Sequence, residues 1–152
     1  ARTESIFRHA KEELGSLSKR DRFIMGIALY AAEGSKGAGG FSNSDPRIIR
    51  FMMKWFREFC KLPLSKFRGA IWLHEGLNEP RAKRYWSKLT GIRLSHFYKS
   101  YVVKDKKKSK KIRKNLHEFG VFTFYVSDVT IERRIMGWIH GTVRSWYNNN
   151  VL

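Results

Sequence analysis

Apolar positions along the chain change period several times, and each change marks an element. Ile6, Phe7, Ala10, Leu14 and Leu17 fall three and four residues apart, which predicts a leader helix over residues 1–17, ended by Gly15-Ser16. Ser18 with Asp21 three residues on is a capping-box pattern that opens a second helix. That helix, Phe23 to Ala32, has no polar face, so the pattern predicts burial all round. Its small residues Gly26, Ala28, Ala31 and Ala32 suit close approach by another helix, and Glu33-Gly34 ends it.

Residues 35–44 are glycine-rich, with room for one short strand around Phe41. Asp45-Pro46 starts a further helix, Asp as the cap and Pro in the first turn, with Ile48, Ile49, Met52, Phe56, Phe59 and Cys60 on its apolar face. Residues 66–75 alternate: Phe67, Gly69, Ile71 and Leu73 point one way, Arg68, Ala70, Trp72 and His74 the other. A helix runs from Asn78-Glu79-Pro80 to Thr90-Gly91, and a strand is expected within 96–103. Residues 119–127 alternate again, with Phe122, Phe124 and Val126 opposed to Val121, Thr123 and Tyr125. A closing helix from about Thr130 carries Ile131, Ile135, Trp138 and Ile139, and residues 148–152 read as a frayed tail.

This order predicts an α+β domain, an antiparallel sheet with helices on one face. The other face would carry Ser42, Arg68, Trp72, His74, Thr123 and Tyr125, and no remaining segment is apolar enough to cover it.

Charge gives that face a meaning. The 152 residues hold 31 Lys+Arg against 13 Asp+Glu, a net charge of +18, while 42% hydrophobic and 14% aromatic content is ample for a packed core. A folded domain so basic repels itself unless an acidic partner offsets it, and nucleic acid is the general case. Residues 104–114 concentrate eight basic side chains, Lys104, Lys106, Lys107, Lys108, Lys110, Lys111, Arg113 and Lys114, in a stretch without regular apolar spacing, read as a phosphate-contacting loop. The longest apolar run, Phe23 to Ala32, is about half the roughly 20 residues a membrane span needs, so no membrane role is expected. No secretory signal opens the chain, and a start at Ala1 suits a fragment of something longer. Cys60 alone excludes an internal disulfide and a zinc site built on paired cysteines. A cytoplasmic, organellar or nuclear location follows as the expectation.

Gly26-Ile27-Ala28-Leu29-Tyr30-Ala31-Ala32-Glu33-Gly34 resembles the nine-residue signature of the LAGLIDADG homing endonucleases. Ala28 and Ala32 match its small positions, Leu29 its leucine, Gly34 its last glycine and Glu33 its catalytic acid, while Gly26, Ile27 and Ala31 depart from it. Phe41-Ser42-Asn43-Ser44-Asp45-Pro46 is similar to the family's strand-to-helix step, and the resemblance extends over roughly residues 18–143. It implies a saddle-shaped sheet over residues 18–147 and, with one signature per chain, a homodimer packed through the signature helix at Phe23, Gly26, Ile27, Ala28, Tyr30 and Ala31. It implies double-stranded DNA as partner and Mg2+ held by Glu33 of each subunit, with Lys36 and Lys99 as candidate auxiliary catalytic lysines. DNA contacts are expected at Lys36, Ser42, Arg68, Trp72, His74, Thr123, Tyr125 and the basic run. Only about ten residues separate Gly34 from Asp45, so the family's base-reading hairpin is stunted, and residues 76–118 form an enlarged insertion. Two alternatives stay open: a sequence-specific DNA-binding regulator without cleavage, and an RNA-binding or intron-splicing cofactor.

Overall fold

In a computed structural model, residues 2–35, 39–104 and 117–149 are described, with side chains up to 145. In chain order the elements are α1 (Arg2–Leu14), α2 (Lys19–Glu33), β1 (Gly34–Ser35), β2 (Gly40–Asn43), α3 (Pro46–Phe59), β3 (Phe67–His74), α4 (Glu79–Thr90), β4 (Tyr101–Val103), β5 (Val121–Val126) and α5 (Val129–Asn149).

The helix boundaries follow from their caps. Ser18 and Asp21 form the expected reciprocal box at α2, with bonds of 2.8 and 3.1 Å. Asp45 accepts from the Arg47 amide at 2.8 Å to open α3, and Asn78 accepts from Arg81 at 2.9 Å to open α4. Asp128 accepts from the amides of Thr130 and Ile131 at the start of α5. Gly91 closes α4 in the left-handed conformation, φ 78°, which costs glycine nothing.

The sheet runs β1-β2-β5-β3-β4. β5 lies antiparallel between β2 and β3, with Phe41 opposite Phe124 and Gly69 opposite Phe124 on its two sides. The alternation read from β3 and β5 holds: Phe67, Ile71, Leu73, Phe122, Phe124 and Val126 are all buried in the core. There they meet Phe41, Ile49, Met52, Trp55, Phe56 and Trp86. Two indoles also tie elements together, Trp55 donating to the Phe23 carbonyl (3.0 Å) and Trp86 to the Phe119 carbonyl (2.7 Å).

Three expectations are corrected. The sheet is mixed, because β4 pairs parallel with β3; a helical crossover, α4, separates the two strands, the connection that parallel pairing requires. Where one short strand was expected in the glycine-rich stretch 35–44, there are two, β1 beginning at Gly34 and β2, a stunted hairpin. The helix α5 continues through Asn149, so 148–149 are helical rather than frayed. Within one chain α2 buries one side only: Gly26, Ile27 and Tyr30 face the core, while Met25, Ala28 and Ala32 lie on the outer side, where burial would need a partner. The leader helix is present but ends at Leu14 and buries nothing, its Ile6, Phe7 and Leu14 facing solvent.

Candidate nucleic-acid interface and the Glu33 carboxylate

The non-core parity of the central strands builds the second sheet face. Register places Ser42 beside Thr123, Thr123 beside Ala70, Arg68 beside Tyr125 and Trp72 beside both Val121 and Tyr101. Ser42, Arg68, Trp72, His74, Thr123 and Tyr125 therefore share one face, as the alternation predicted.

They do not share one degree of exposure. Thr123 is buried, its hydroxyl paired with that of Ser42 at 2.6 Å, so it supports the surface rather than contacting a ligand. Arg68 and His74 are half-buried. The Arg68 Nη1 donates to the carbonyls of Ser65 (2.8 Å) and Phe67 (3.0 Å) and lies 3.4 Å from His96 Nδ1, which fixes the guanidinium at the rim. Burial pushes the Tyr125 phenol above its usual pKa, so it stays neutral and able to donate. Trp72 is exposed, and it stacks on Tyr101, which sequence reasoning did not single out. Tyr98, whose ring lies 5.9 Å from Tyr125, was missed as well. β4 is only three residues long and Tyr98 lies before it, so strand parity gave no signal for either.

Glu33 is the last residue of α2 and is exposed. The Asn43 amide nitrogen donates to Glu33 Oε2 at 2.5 Å, while Asn43 Oδ1 accepts from the Asp45 amide at 2.7 Å. The carboxylate is thus held against β2 by a residue that also braces the start of α3. Just before it, the Tyr30 hydroxyl donates to the Ser35 carbonyl at 3.0 Å, and burial lifts its pKa to about 12.

Lys99 does not join Glu33. It precedes β4 and lies near Glu79, whose carboxyl is held below its usual pKa first by Lys83 at 2.9 Å. Three strand spacings, roughly 14 Å at about 4.8 Å each, separate β2 from β4. Lys104 is exposed directly after β4. Lys36, Lys106, Lys107, Lys108, Lys110, Lys111, Arg113 and Lys114 lie outside the described residues.

Of the expected dimer-interface residues, Ile27 and Tyr30 are core, and a Cβ on Gly26 would overlap the Trp55 indole. Phe23 packs on Phe59 and Trp138 inside the same chain, and Ala31 is half-buried. Ala28 alone of the six is exposed, in a stripe with Met25, Ala32 and the half-buried Leu29.

Compared with protein-family models, with curated proteins and with solved structures, the chain matches none. Among the described residues no three His, Cys, Asp or Glu side chains gather as a metal-binding group, and no helix is long and apolar enough to cross a membrane. At the end of α2 the group offered to a cation is the exposed Glu33 carboxylate. Mg2+ binds through one or two carboxylates while keeping waters and substrate phosphates, and an exposed carboxylate such as Glu33 is a donor of the type it takes.

Proposed function

We propose that the protein is a homodimeric DNA-binding protein of the LAGLIDADG type, a site-specific double-strand endonuclease with Glu33 of each subunit at the cleavage centre. The observation that carries this reading is the position of Glu33. It follows directly on the outer stripe of α2, the exposed Met25, Ala28 and Ala32 with the half-buried Leu29, and it is bonded to β2 of the open sheet. A second copy packed stripe to stripe would remove the apolar surface from water and bring two carboxylates towards one another. The sheet, as a saddle, would then supply the surface for DNA, with Arg68, Lys104 and the basic run on phosphates.

When bound, Mg2+ would supply charge neutralisation and a more acidic water at the scissile phosphate. The protein's own part is to hold the Glu33 carboxylate through Asn43 and to seat the duplex. A second reading, a DNA binder on the same scaffold that does not cut, rests on the net charge of +18 and the sheet face, which serve binding whether or not Glu33 holds a metal.

One selection separates the two. Duplexes from a random library are captured in Ca2+, transferred to Mg2+ and sequenced. Cut ends at a roughly two-fold symmetric site, absent with Glu33→Gln, are expected. A symmetric motif recovered intact would leave the binder. No enriched duplex at all would remove duplex DNA as the partner and favour RNA.

A further inference from the structure

We propose that Trp72 and Tyr101 form a stacking shelf for an unpaired base, so that the preferred nucleic acid is a duplex carrying a short single-stranded segment. The proposal rests on the nucleic-acid reading above.

The two residues are direct neighbours across the β3–β4 ladder. Their rings are 4.5 Å apart between centroids and 18° from parallel. Trp72 is 44% and Tyr101 53% exposed, an unusual state for two of the largest apolar side chains on one face. Among the described residues β4 is an edge strand, and none of their strands lies beyond Tyr101. The stack therefore stops at the rim of the sheet, with an aromatic ring as its last layer.

Bases inside a duplex are already stacked above and below, so they gain little from such a ring. An unpaired base has a free π-face and continues the column, which is how sequence-tolerant single-strand binders hold successive bases. Charge agrees with this occupant. Lys104 follows β4 immediately and is exposed, and the chain carries a net charge of +18, so a strand leaving the duplex at this rim meets a phosphate-neutralising side chain on a strongly basic protein. The competing occupant is a protein strand added to the β4 edge, which Val102 and Val103, 52% and 40% exposed, would also accommodate.

The test compares the full chain on two labelled probes at one low salt concentration: a blunt duplex, and the same duplex with a short single-stranded tail. The tail is expected to tighten binding about tenfold and to quench tryptophan fluorescence. Tyr101→Ala should remove that gain while leaving blunt-duplex affinity within about twofold, and Trp72→Ala should also remove the gain, lowering affinity for the tailed probe more than for the blunt one. Trp72→Phe, which keeps a ring, should retain most of the gain, and an unchanged far-ultraviolet spectrum excludes misfolding. Equal affinity for both probes would overturn the shelf, as would a gain that survives both alanine variants. Dissociation of an oligomer by Tyr101→Ala would assign the edge to strand pairing instead. A wild-type protein that binds neither probe would overturn the nucleic-acid reading itself, a result distinct from the failure of the shelf.

Discussion

Asn43 holds Glu33: its amide nitrogen donates to Oε2 at 2.5 Å while its own oxygen accepts from Asp45. The last side chain of α2 is thereby fixed relative to the sheet and to the start of α3. If Glu33 is the cleavage carboxylate, Glu33→Gln should keep DNA affinity and lower cleavage by about a hundredfold or more. Asn43→Ala should lower cleavage by about tenfold, because the carboxylate remains but loses its fixed direction. Single-turnover cleavage with parallel binding titrations separates these outcomes. Equal losses of binding and cutting in both variants would sink the positioning role.

The two sides of α2 should respond to substitution in opposite ways. Gly26→Ala drives a methyl into Trp55, whose indole is committed to the Phe23 carbonyl, so it should cost about 1–3 kcal/mol of folding stability. If the stripe is the dimer interface, Ala28→Glu, which places a charge on it, should convert the dimer to a monomer and remove the dependence of the Tm on protein concentration. Thermal melts with sedimentation velocity read both. An Ala28→Glu protein that stays dimeric would exclude the stripe as the interface.

Removal of residues 1–17 should leave the fold intact. Because α1 buries no residue, the Tm should move by less than about 2 °C. A large drop would mean that α1 packs on the domain in solution.

Ionisation should shape stability at both ends of the pH scale. The bonds from Arg47 hold the Asp45 carboxyl at about 2. A depressed carboxyl stabilises the fold fully above its unfolded value, about 3.9, and this contribution is lost as pH falls towards 2. The Tm of Asp45→Asn should therefore fall less steeply between pH 4 and pH 2 than that of the parent. At the other end, burial raises the Cys60 thiol to about 12, above its unfolded value, so its contribution is present at neutral pH and is lost as pH rises through the alkaline range. Since the thiolate is the reactive form, Cys60 should resist maleimide at pH 8 until urea unfolds the chain. Native-state labelling at the unfolded rate would contradict this.

Much of this architecture was legible because it is locally encoded. Ser18-Asp21, Asp45-Pro46 and Asn78 satisfy backbone donors within three residues, and the strict alternation of 67–74 and 121–126 fixes which side chains face the core. What failed depends on neighbours far along the chain. No polar residue marks which side of α2 meets Trp55, so Gly26, Ile27 and Tyr30 read as available when they are core. Nothing in Tyr101-Val102-Val103 states a direction, so the parallel pairing, and with it the stack of Trp72 on Tyr101, emerged only from the sheet. The candidate site was half legible: Glu33 stood out through its neighbours in sequence, whereas Asn43, ten residues on, becomes its partner through the hairpin turn. Lys99 looked near for want of a topology and lies across the sheet.

The strand order also sets a timetable for assembly. β5 is last in sequence yet central in space, lying between β2 and β3. A nascent chain that has not reached residue 121 holds two separated sheet fragments, β1-β2 and β3-β4, each with an edge whose amides and carbonyls lack a strand. Closure must wait for a segment some eighty residues beyond β2, a long-range pairing of the kind that slows folding. Truncated translation products ending before Val121 are accordingly the form of this protein most exposed to aggregation, and arrival of β5 is the step that commits the domain to its native state.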